Sequence, residues 1–469
     1  MSRRIAMGRR YHVCGGHLDD PARSLSSCAV FRNGRGEPVS LNRNEAAAAP
    51  TTSSAGRRVL LILWIVYVFN FVDRNILSIL LEPIKQELGV SDTAMGFLTG
   101  FAFAVFYTVA GIPIARLADR RSRRVVMSIG VAFWSLATAA SGFVQSFSQL
   151  ALARIAVGVG EASATPAAHS LISDYFPPEQ RTRAIAIYNT GANGGILVGL
   201  VLGGWLQQTF GWRVAFLVVG LPGLLVALLV AAFITEPPRG LSEGRDAAEE
   251  APSLGESLRL LGGLRTYIHI AIAAGLYAMP NYGTIAWMPT FLIRVFGVGY
   301  AEIGLTLGMV LGFVGAAGTY LAGTLCDRLL RRDVRWLVWI PAIGSAVSVP
   351  FIAVTLLAPS FAFGMPFYAA SVFFGASFAA PTYALVQALA PLRMRATASA
   401  VLLFALNLIG LGLGPTVVGI LNDALAPRFG DEAIRYSLLF VSLLNIWGMV
   451  HSLIAARSVR ADIEGAAAQ

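Results

Sequence analysis

The stretch that determines the predicted fold is Asp-Arg-Arg-Ser-Arg-Arg at residues 119–124, because a partial copy, Asp-Arg-Leu-Leu-Arg-Arg, stands at residues 327–332. The copies begin at residues 119 and 327, an offset of 208 residues. An acid followed by paired arginines at the same place in both halves of a chain indicates an internal repeat. We therefore interpret the chain as two similar halves joined by a connecting segment.

Two rows of small residues follow the same offset. Within each row the residues recur at every fourth position: Gly96, Gly100 and Ala104, matched by Gly304, Gly308 and Gly312. Residues with this spacing share one face of a helix, and a face of small side chains lets a second helix approach closely in a membrane. Two similar helical halves are the architecture of carriers that work by alternating access.

The hydrophobic composition places both halves in a membrane. Of the 469 residues, 56% are hydrophobic and 13% are charged, against roughly 25% charged residues in soluble domains. Each apolar run is long enough to cross a hydrocarbon core of about 30 Å. The runs are residues 59–81, 95–117, 124–144, 148–173, 183–208, 213–235, 267–292, 301–325, 336–357, 361–389, 396–421 and 434–456. We predict an all-α membrane protein with twelve transmembrane helices in two pseudo-symmetric six-helix halves.

The distribution of arginine predicts the orientation. The net charge is +10, but the basic residues lie in short clusters between the spans and form no basic face for a nucleic acid. The clusters fall on one side, which the positive-inside rule assigns to the cytoplasm. We expect a bacterial inner-membrane protein with both termini in the cytoplasm. Its predicted parts are a disordered tail (1–56), a first half (57–236), a cytoplasmic linker (237–266), a second half (267–457) and a tail (458–469).

The sequence carries no pattern for catalysis or for a cofactor. It contains no His-x-x-x-His pair, no Gly-x-Ser-x-Gly and no phosphate-binding loop of an ATPase. Its three cysteines have no metal-ligand spacing. An enzyme, an ATP-driven pump and a metal or cofactor site are therefore not expected. A carrier is favoured over a channel, because a two-half repeat suits rocking around a central site.

The repeated motif resembles that of the major facilitator superfamily, Gly-x-x-x-Asp-Arg-x-Gly-Arg-Arg. Ala115 and Ser122 replace the two glycines in the first copy, and Leu330 replaces the second glycine in the other copy. The resemblance implies a monomeric carrier whose motif latches the inner helix ends in the outward-open state; the alternative is charge that only sets topology. The implied latch residues are Asp119, Arg120, Arg123, Arg124, Asp327, Arg328, Arg331 and Arg332.

Within that superfamily, three stretches resemble the Spinster group. They are Asn-Phe-Val-Asp-Arg at 70–74, Leu-Ala-Asp-Arg at 117–120 and Arg-Ile-Ala-Val-Gly-Val-Gly-Glu-Ala at 154–162. The resemblance implies transport of lysophospholipids, sphingoid phosphates or similar amphiphiles, coupled to protons in several members. We therefore predict a proton-coupled carrier of a lysophospholipid-like or other amphiphilic substrate; the alternatives are a carrier of a small organic anion and an exporter of hydrophobic compounds.

Four ionisable residues lie deep in the predicted spans, all of them in the first half: Asp73, Arg74, Arg154 and Glu161. In a bilayer, such side chains are costly unless they are paired or hydrated. Arg154 and Glu161 share a helix face but lie about 10 Å apart along the axis, which is too far for an ion pair. If spans 1 and 4 adjoin, as in the family fold, Asp73 pairs with Arg154, and Glu161 is the freer carboxylate.

We predict that Glu161 carries the coupled proton, because burial disfavours the charged form of a carboxyl group. Asp73 is its predicted partner or relay, and Arg154 either modulates both or holds an anionic head group. Arg74 cannot face the same way as Asp73, so it reaches either the substrate or a neighbouring helix. The alternative interpretation is a buried ion network that only fixes helix packing.

The second half offers weaker polar candidates. Asn281 and Tyr282 stand between a proline and a glycine, which predicts a bent helix. A bent helix is either a substrate-binding device or a packing kink. Tyr383 and Asn407 are candidates to line the cavity of the second half, or ordinary contacts between helices.

Overall fold

The computed structural model describes residues 54–237, 254–391 and 394–467. Every regular element in this part of the chain is a helix. Most of the predicted tail at 1–56 lies outside the described residues, as do residues 238–253 of the predicted linker. The fold class predicted from the sequence is confirmed.

The first half consists of six helices joined by short connections. They are α1 (Ser54–Leu88), α2 (Asp92–Phe97, Leu98–Ala102 and Phe103–Arg120), α3 (Arg123–Ser141), α4 (Phe147–Glu161 and Ala164–Tyr175), α5 (Pro178–Phe210) and α6 (Trp212–Phe233). The hydroxyls of Ser91, Ser122 and Ser146 accept hydrogen bonds from the first turns of α2, α3 and α4, where backbone donors have no partner within the helix. Gly211 makes the turn into α6 with a φ of 82°, which favours glycine.

The second half repeats this arrangement. It contains α7 (Arg265–Phe296), α8 (Tyr300–Met309, Val310–Val314 and Gly315–Leu330), α9 (Trp336–Leu356), α10 (Phe361–Gly375, Ala376–Phe378 and Ala379–Leu389), α11 (Arg395–Ala405, Leu406–Leu413 and Gly414–Phe429) and α12 (Ala433–Ser442 and Leu444–Ala467). A short helix in the predicted linker, Leu254–Gly263, precedes α7. Helix α12 continues beyond residue 457, where the sequence had suggested the start of the tail.

Nine stretches of the described residues are long and apolar enough to cross a membrane. One of them, Thr397–Ala466, contains both α11 and α12. Helices α4 and α7 complete the twelve: α4 is divided by a turn after Glu161, and α7 has Pro280 and Pro289 in its interior. Both helices carry predicted site residues: Arg154 and Glu161 on α4, and Asn281 and Tyr282 on α7.

Two of the contacts between the halves use the predicted rows of small residues. Helix α2 packs against α11, and α8 packs against α5. A Cβ atom at Gly96 would lie 2.4 Å from the carbonyl oxygen of Pro415, and one at Gly304 would lie 2.3 Å from that of Leu200. Neither position accepts a larger side chain without a shift of backbone. The prediction that these rows allow close helix approach is confirmed.

The bundle has two ends that differ in charge. We call the end with the α2–α3 and α8–α9 connections the Arg-rich end, and the end with the α1–α2 and α7–α8 connections the Arg-poor end. Hydrogen bonds between described residues of the two halves lie toward the Arg-poor end; for example, the backbone N–H of Ala301 donates to Gln208 Oε1 at 2.9 Å. The halves are therefore tied together at that end.

Candidate functional site

An ion pair between α1 and α4 lies inside the first half. Arg154 Nη1 donates to Asp73 Oδ1 at 2.9 Å, and each residue is only 2% exposed. Thr138 of α3 donates its hydroxyl to the other oxygen of Asp73. Three helices therefore meet at one carboxylate, and the pairing expected from the sequence is present.

Removal of this carboxylate is expected to destabilise the protein. In Asp73→Asn, the Arg154 guanidinium stays buried without its partner, and breaking a buried ion pair costs about 3–5 kcal/mol. We expect a lower midpoint of thermal unfolding for the detergent-purified variant, and partial recovery in Asp73→Asn/Arg154→Gln, which lacks the unpaired charge. Asp431→Asn changes an exposed acid and serves as the control. An unchanged midpoint in Asp73→Asn would show that the pair contributes nothing to stability.

A second ion pair joins the same two helices. Arg74 Nε donates to Glu161 Oε2 at 2.6 Å, and Glu161 is fully buried. Arg74 extends from a different face of α1 than Asp73 and reaches the last residue of the first segment of α4, so Glu161 is not unpaired, but it has fewer hydrogen bonds than Asp73, as the sequence suggested. The other oxygen of Glu161 has no hydrogen-bond partner among the described residues. Glu161 is therefore paired through one oxygen only.

Aromatic rings surround the guanidinium of Arg74. Its Cζ atom lies 5.4 Å from the ring centroid of Phe71, 5.1 Å from that of Phe103 and 4.7 Å from that of Tyr107. These distances are within the range of cation–π attraction. The rings therefore hold the guanidinium in place independently of its bond to Glu161.

Arg74 lines a cavity of about 100 Å³ between the two halves, which we call the central cavity. Its charged lining residues, Arg74 and Arg154, are both arginines and both belong to the first half. The wall from the second half is uncharged and consists of Tyr282, Ile285, Ala286, Leu411 and Pro415. The cavity is thus lined on one side by two arginines, each paired with a carboxylate, and is largely apolar on the other side.

The structure separates the polar candidates of the second half. Tyr282 lines the central cavity, whereas its neighbour Asn281 lines a different cavity within the second half. Tyr383 packs against the core of the second half, and Asn407 lies in the π-helical segment of α11. A role of these residues in binding stays a prediction.

At the Arg-rich end, Arg123 is the centre of a polar cluster within the first half. Its guanidinium forms ion pairs with Asp174 and, at 2.7 Å, with Glu236. The side chain of Asp119 lies outside the described residues, and Arg120 is exposed. The second motif copy is exposed at Asp327, Arg328, Arg331 and Arg332. The two copies make different contacts in this conformation, and the latch stays a prediction.

Glu236, which follows α6, has a strongly lowered pKa. Burial raises its pKa, but hydrogen bonds to the carboxylate outweigh burial and bring the pKa to about 2. Three of them come from the backbone N–H of Arg124 at 3.0 Å, from Arg123 Nε and from the Ser122 hydroxyl. The start of α3 is therefore fastened to the end of α6 by an ionised carboxylate.

The contribution of Glu236 to the stability of the folded protein is expected to depend on pH. Because the pKa of Glu236 is about 2 in the folded protein and 4.5 in its ordinary state, its stabilising contribution is complete above pH 4.5 and is lost as the pH falls toward 2. We expect wild type to unfold at a higher temperature than Glu236→Gln, with a difference that narrows as the pH is lowered from about 6 to about 3. Glu179→Gln, a change at an exposed acid, is the control. A difference that does not vary with pH would contradict the assignment.

A cluster at the Arg-poor end, absent from the sequence-based site, ties the two halves together. Arg294 of α7 binds Glu82 of α1 at 2.6 Å and both oxygens of Asp92 of α2 at 2.6 and 2.8 Å. Lys85 binds Asp92 at 2.7 Å. The side chains of Arg294, Glu82 and Asp92 are at most 10% exposed. We call these four residues the Arg294 cluster.

Helix α11 adds to the same junction. Asn422 donates to Asp92 Oδ2 at 2.9 Å, and Asp423 accepts hydrogen bonds from the backbone N–H groups of Asp92 and Thr93 at 3.1 and 2.7 Å. A carboxylate at a helix N-terminus satisfies free backbone donors and interacts favourably with the helix dipole. The sequence feature that could have indicated this junction is the pair of acids Glu82 and Asp92, which lie near the end of α1 and at the start of α2.

The repeated motif, the two six-helix halves and the central cavity between them define a membrane carrier. The family model described as the Major Facilitator Superfamily matches residues 63–415, and the chain belongs to this family. Its function is therefore transport across a membrane and not enzymatic catalysis.

Three similar proteins show which members of the superfamily this chain resembles. An MFS-type efflux pump of Mycolicibacterium smegmatis is 35% identical over 86% of this chain and 93% of its own length. The crystal structure of a bacterial homolog to the human lysosomal transporter Spinster, inward-facing and unoccupied, is 30% identical with a TM-score of 0.81, and the match covers 88% of this chain and 99% of that one. A D-galactonate transporter of Escherichia coli is 29% identical over 86% of this chain and 97% of its own. The resemblance to the Spinster group is confirmed.

Proposed function

We propose that this protein is a proton-driven carrier of organic anions, with the Arg74–Glu161 pair as the site where the proton and the anion meet. The observation that carries the proposal is this pair: a buried carboxylate bonded to a guanidinium that lines a cavity whose charged lining residues are both arginines. A guanidinium matches the geometry of a carboxylate or phosphate group. The site therefore suits an anionic substrate.

Competition for Arg74 couples the two ligands. While Glu161 is ionised, it occupies Arg74 and its charge repels an incoming anion. When Glu161 is protonated, its attraction for Arg74 weakens, and the guanidinium becomes available to the substrate. Each ligand then strengthens the binding of the other by the same factor. The proton and the anion cross the membrane together, and Asp73 holds Arg154 beside the cavity as an electrostatic partner.

The closed Arg-poor end supports an inward-facing conformation. The Arg294 cluster joins the halves there, and the related Spinster homolog was solved in an inward-facing state. We infer that the Arg-rich end and both termini face the cytoplasm of a bacterial inner membrane, as the positive-inside rule expects. The two motif copies would close that end in the outward-open state.

A small anion fits the central cavity better than a long amphiphile. Its volume of about 100 Å³ is below the ~300–1,000 Å³ of pockets that enclose drug-sized ligands. The related Escherichia coli protein is named a transporter of D-galactonate. The second candidate is transport of an amphiphilic or hydrophobic compound, which is supported by the M. smegmatis efflux pump and by the apolar wall of the cavity.

Uptake into proteoliposomes tests the proposal. Labelled D-galactonate and labelled lysophosphatidylglycerol are compared with and without a pH gradient that drives protons inward, and protein-free liposomes are the control. We expect galactonate to accumulate only with the gradient. Gradient-driven movement of the lysophospholipid alone would favour the second candidate. Movement of neither ligand would contradict proton-driven transport of both classes.

A further inference from the structure

A second cavity lies within the second half, next to the central cavity. It has a volume of about 60 Å³ and is bounded by α7, α8, α9, α10 and the middle of α12. Ile285 lines both cavities, so a ligand that extends past this side chain contacts both. We call this space the second-half cavity.

Polar but uncharged side chains share the lining of the second-half cavity with apolar ones such as Leu311, Ile352 and Val372. The polar ones include Asn281, Thr284, Ser348, Tyr368, Ser371 and Asn445. The described lining residues contain no acid and no base. A long acyl chain does not fit this small volume, and it would offer no hydrogen bond to the Tyr368 hydroxyl, whereas Ser348 already donates to the carbonyl oxygen of Ser345. The lining instead matches hydroxyl groups, which donate and accept hydrogen bonds.

Tyr368, which lines the second-half cavity, has a hydroxyl group whose hydrogen-bonding capacity is unused within the described part of the chain. It is 1% exposed, and its hydroxyl has no hydrogen-bond partner among the described residues. A buried hydroxyl without a partner costs free energy, so such groups are rare in folded proteins. The amide of Asn445, 9% exposed, lines the same space. These two side chains come from different helices and converge on one small volume.

We propose that the second-half cavity binds the hydroxyl groups of the substrate, so that the carried anion is a polyhydroxylated organic acid. This inference rests on the proposed function: the carboxylate binds at Arg74, and the hydroxyl-bearing part extends past Ile285 toward Tyr368. Specificity then has two sources. Arg74 selects for negative charge, and the second-half cavity selects against acids that lack hydroxyl groups, because these leave the Tyr368 hydroxyl unpaired.

Ligand affinity in Tyr368→Phe tests this inference. The probes are D-galactonate and hexanoate, which have carbon chains of the same length but differ in their hydroxyl groups, and binding to the purified protein is measured by titration calorimetry. We expect wild type to prefer galactonate, and Tyr368→Phe to bind galactonate roughly three- to tenfold more weakly, the effect of one hydrogen bond, with hexanoate binding unchanged. Thermal stability should not fall, because the lost hydroxyl has no partner in the described protein.

Tyr267→Phe is the matched control. Tyr267 is a buried tyrosine of the same half whose hydroxyl donates to the carbonyl oxygen of Ala398 at 2.8 Å, outside the second-half cavity, so its loss should alter stability but not the preference between the two acids. An equal effect of Tyr368→Phe on both acids, no effect on either, or binding of hexanoate alone would overturn the inference and leave the proposed function standing. If wild type binds neither acid, the proposed function fails as well.

Discussion

Glu161→Gln is expected to abolish proton-driven accumulation of the anion while it leaves exchange across the membrane intact. Glutamine removes the proton-binding group, and Arg74 no longer has a carboxylate that competes with the substrate. With one proton per anion, a gradient of about one pH unit supports about tenfold accumulation in wild type, whereas the variant should only equilibrate the anion. The measurement compares gradient-driven uptake with counterflow in the same proteoliposomes.

Retained counterflow separates a lost coupling site from a misfolded protein. Glu302→Gln removes an exposed acid of α8 and should accumulate substrate like wild type. If Glu161→Gln accumulates the anion in response to a pH gradient as well as wild type does, Glu161 does not carry the coupled proton. The Arg74–Glu161 pair would then be a packing interaction.

Arg294→Leu is expected to open the Arg-poor end. The substitution removes the guanidinium that pairs with the buried carboxylates of Glu82 and Asp92, and only Asp92 keeps another cation among the described residues, Lys85. Loss of one partner from a buried pair costs about 3–5 kcal/mol. A shift of roughly 5.5 kcal/mol inverts a population ratio of 99 to 1, so this change is large enough to populate the outward-open state strongly. Spin labels at Gln208 and Ala301, which face each other across the halves, report the separation as a distance distribution.

This experiment has two controls. One removes an arginine whose ion pair lies within one half, and the other replaces Arg294 by a residue of the same charge. Arg213 pairs with Glu87 inside the first half at the same end, so Arg213→Leu should leave the label distances unchanged. Arg294→Lys should restore closure only in part, because an ammonium group cannot engage two carboxylates as a planar guanidinium does. A wild-type distance distribution in Arg294→Leu would show that the Arg294 cluster does not hold this end closed.

The internal repeat allowed the two-half helical fold to be predicted from the sequence. The rows that begin at Gly96 and Gly304 predicted close helix contacts, and these are the α2–α11 and α8–α5 contacts, two of those that join the halves. The residues at which helices begin and end were harder to predict from the sequence. Helix α1 runs from Ser54 to Leu88 although its apolar run covers only 59–81, because a helix continues beyond the lipid wherever caps and local packing allow. The π-helical segments, such as Leu98–Ala102, have no counterpart in the apolar pattern.

The site was predicted in its composition but not in all of its pairings. Burial identified Asp73, Arg74, Arg154 and Glu161, because ionisable groups deep in an apolar run are rare without a role. Helix spacing excluded an Arg154–Glu161 pair, but it gives no information on what surrounds each face of α1. Helix spacing alone therefore could not predict the bond between Arg74 and Glu161.

The Arg294 cluster was missed for a related reason. Arg294, Glu82 and Asp92 stand at the ends of three different spans, where charged residues usually mark the membrane boundary. Only the tertiary arrangement shows that these helix ends converge and that the charges are buried. The same holds for the second-half cavity, whose polar residues are scattered over α7, α9, α10 and α12.

Proton uptake on substrate binding tests the central claim most directly. The purified protein is mixed with D-galactonate in weakly buffered solution near neutral pH, and a pH indicator records the protons bound. If the anion and Glu161 compete for Arg74, anion binding raises the proton occupancy of Glu161, with about one proton taken up per anion bound when Glu161 is ionised beforehand, and none in Glu161→Gln. Galactonate binding to wild type without proton uptake, or with proton release, would contradict the coupling mechanism.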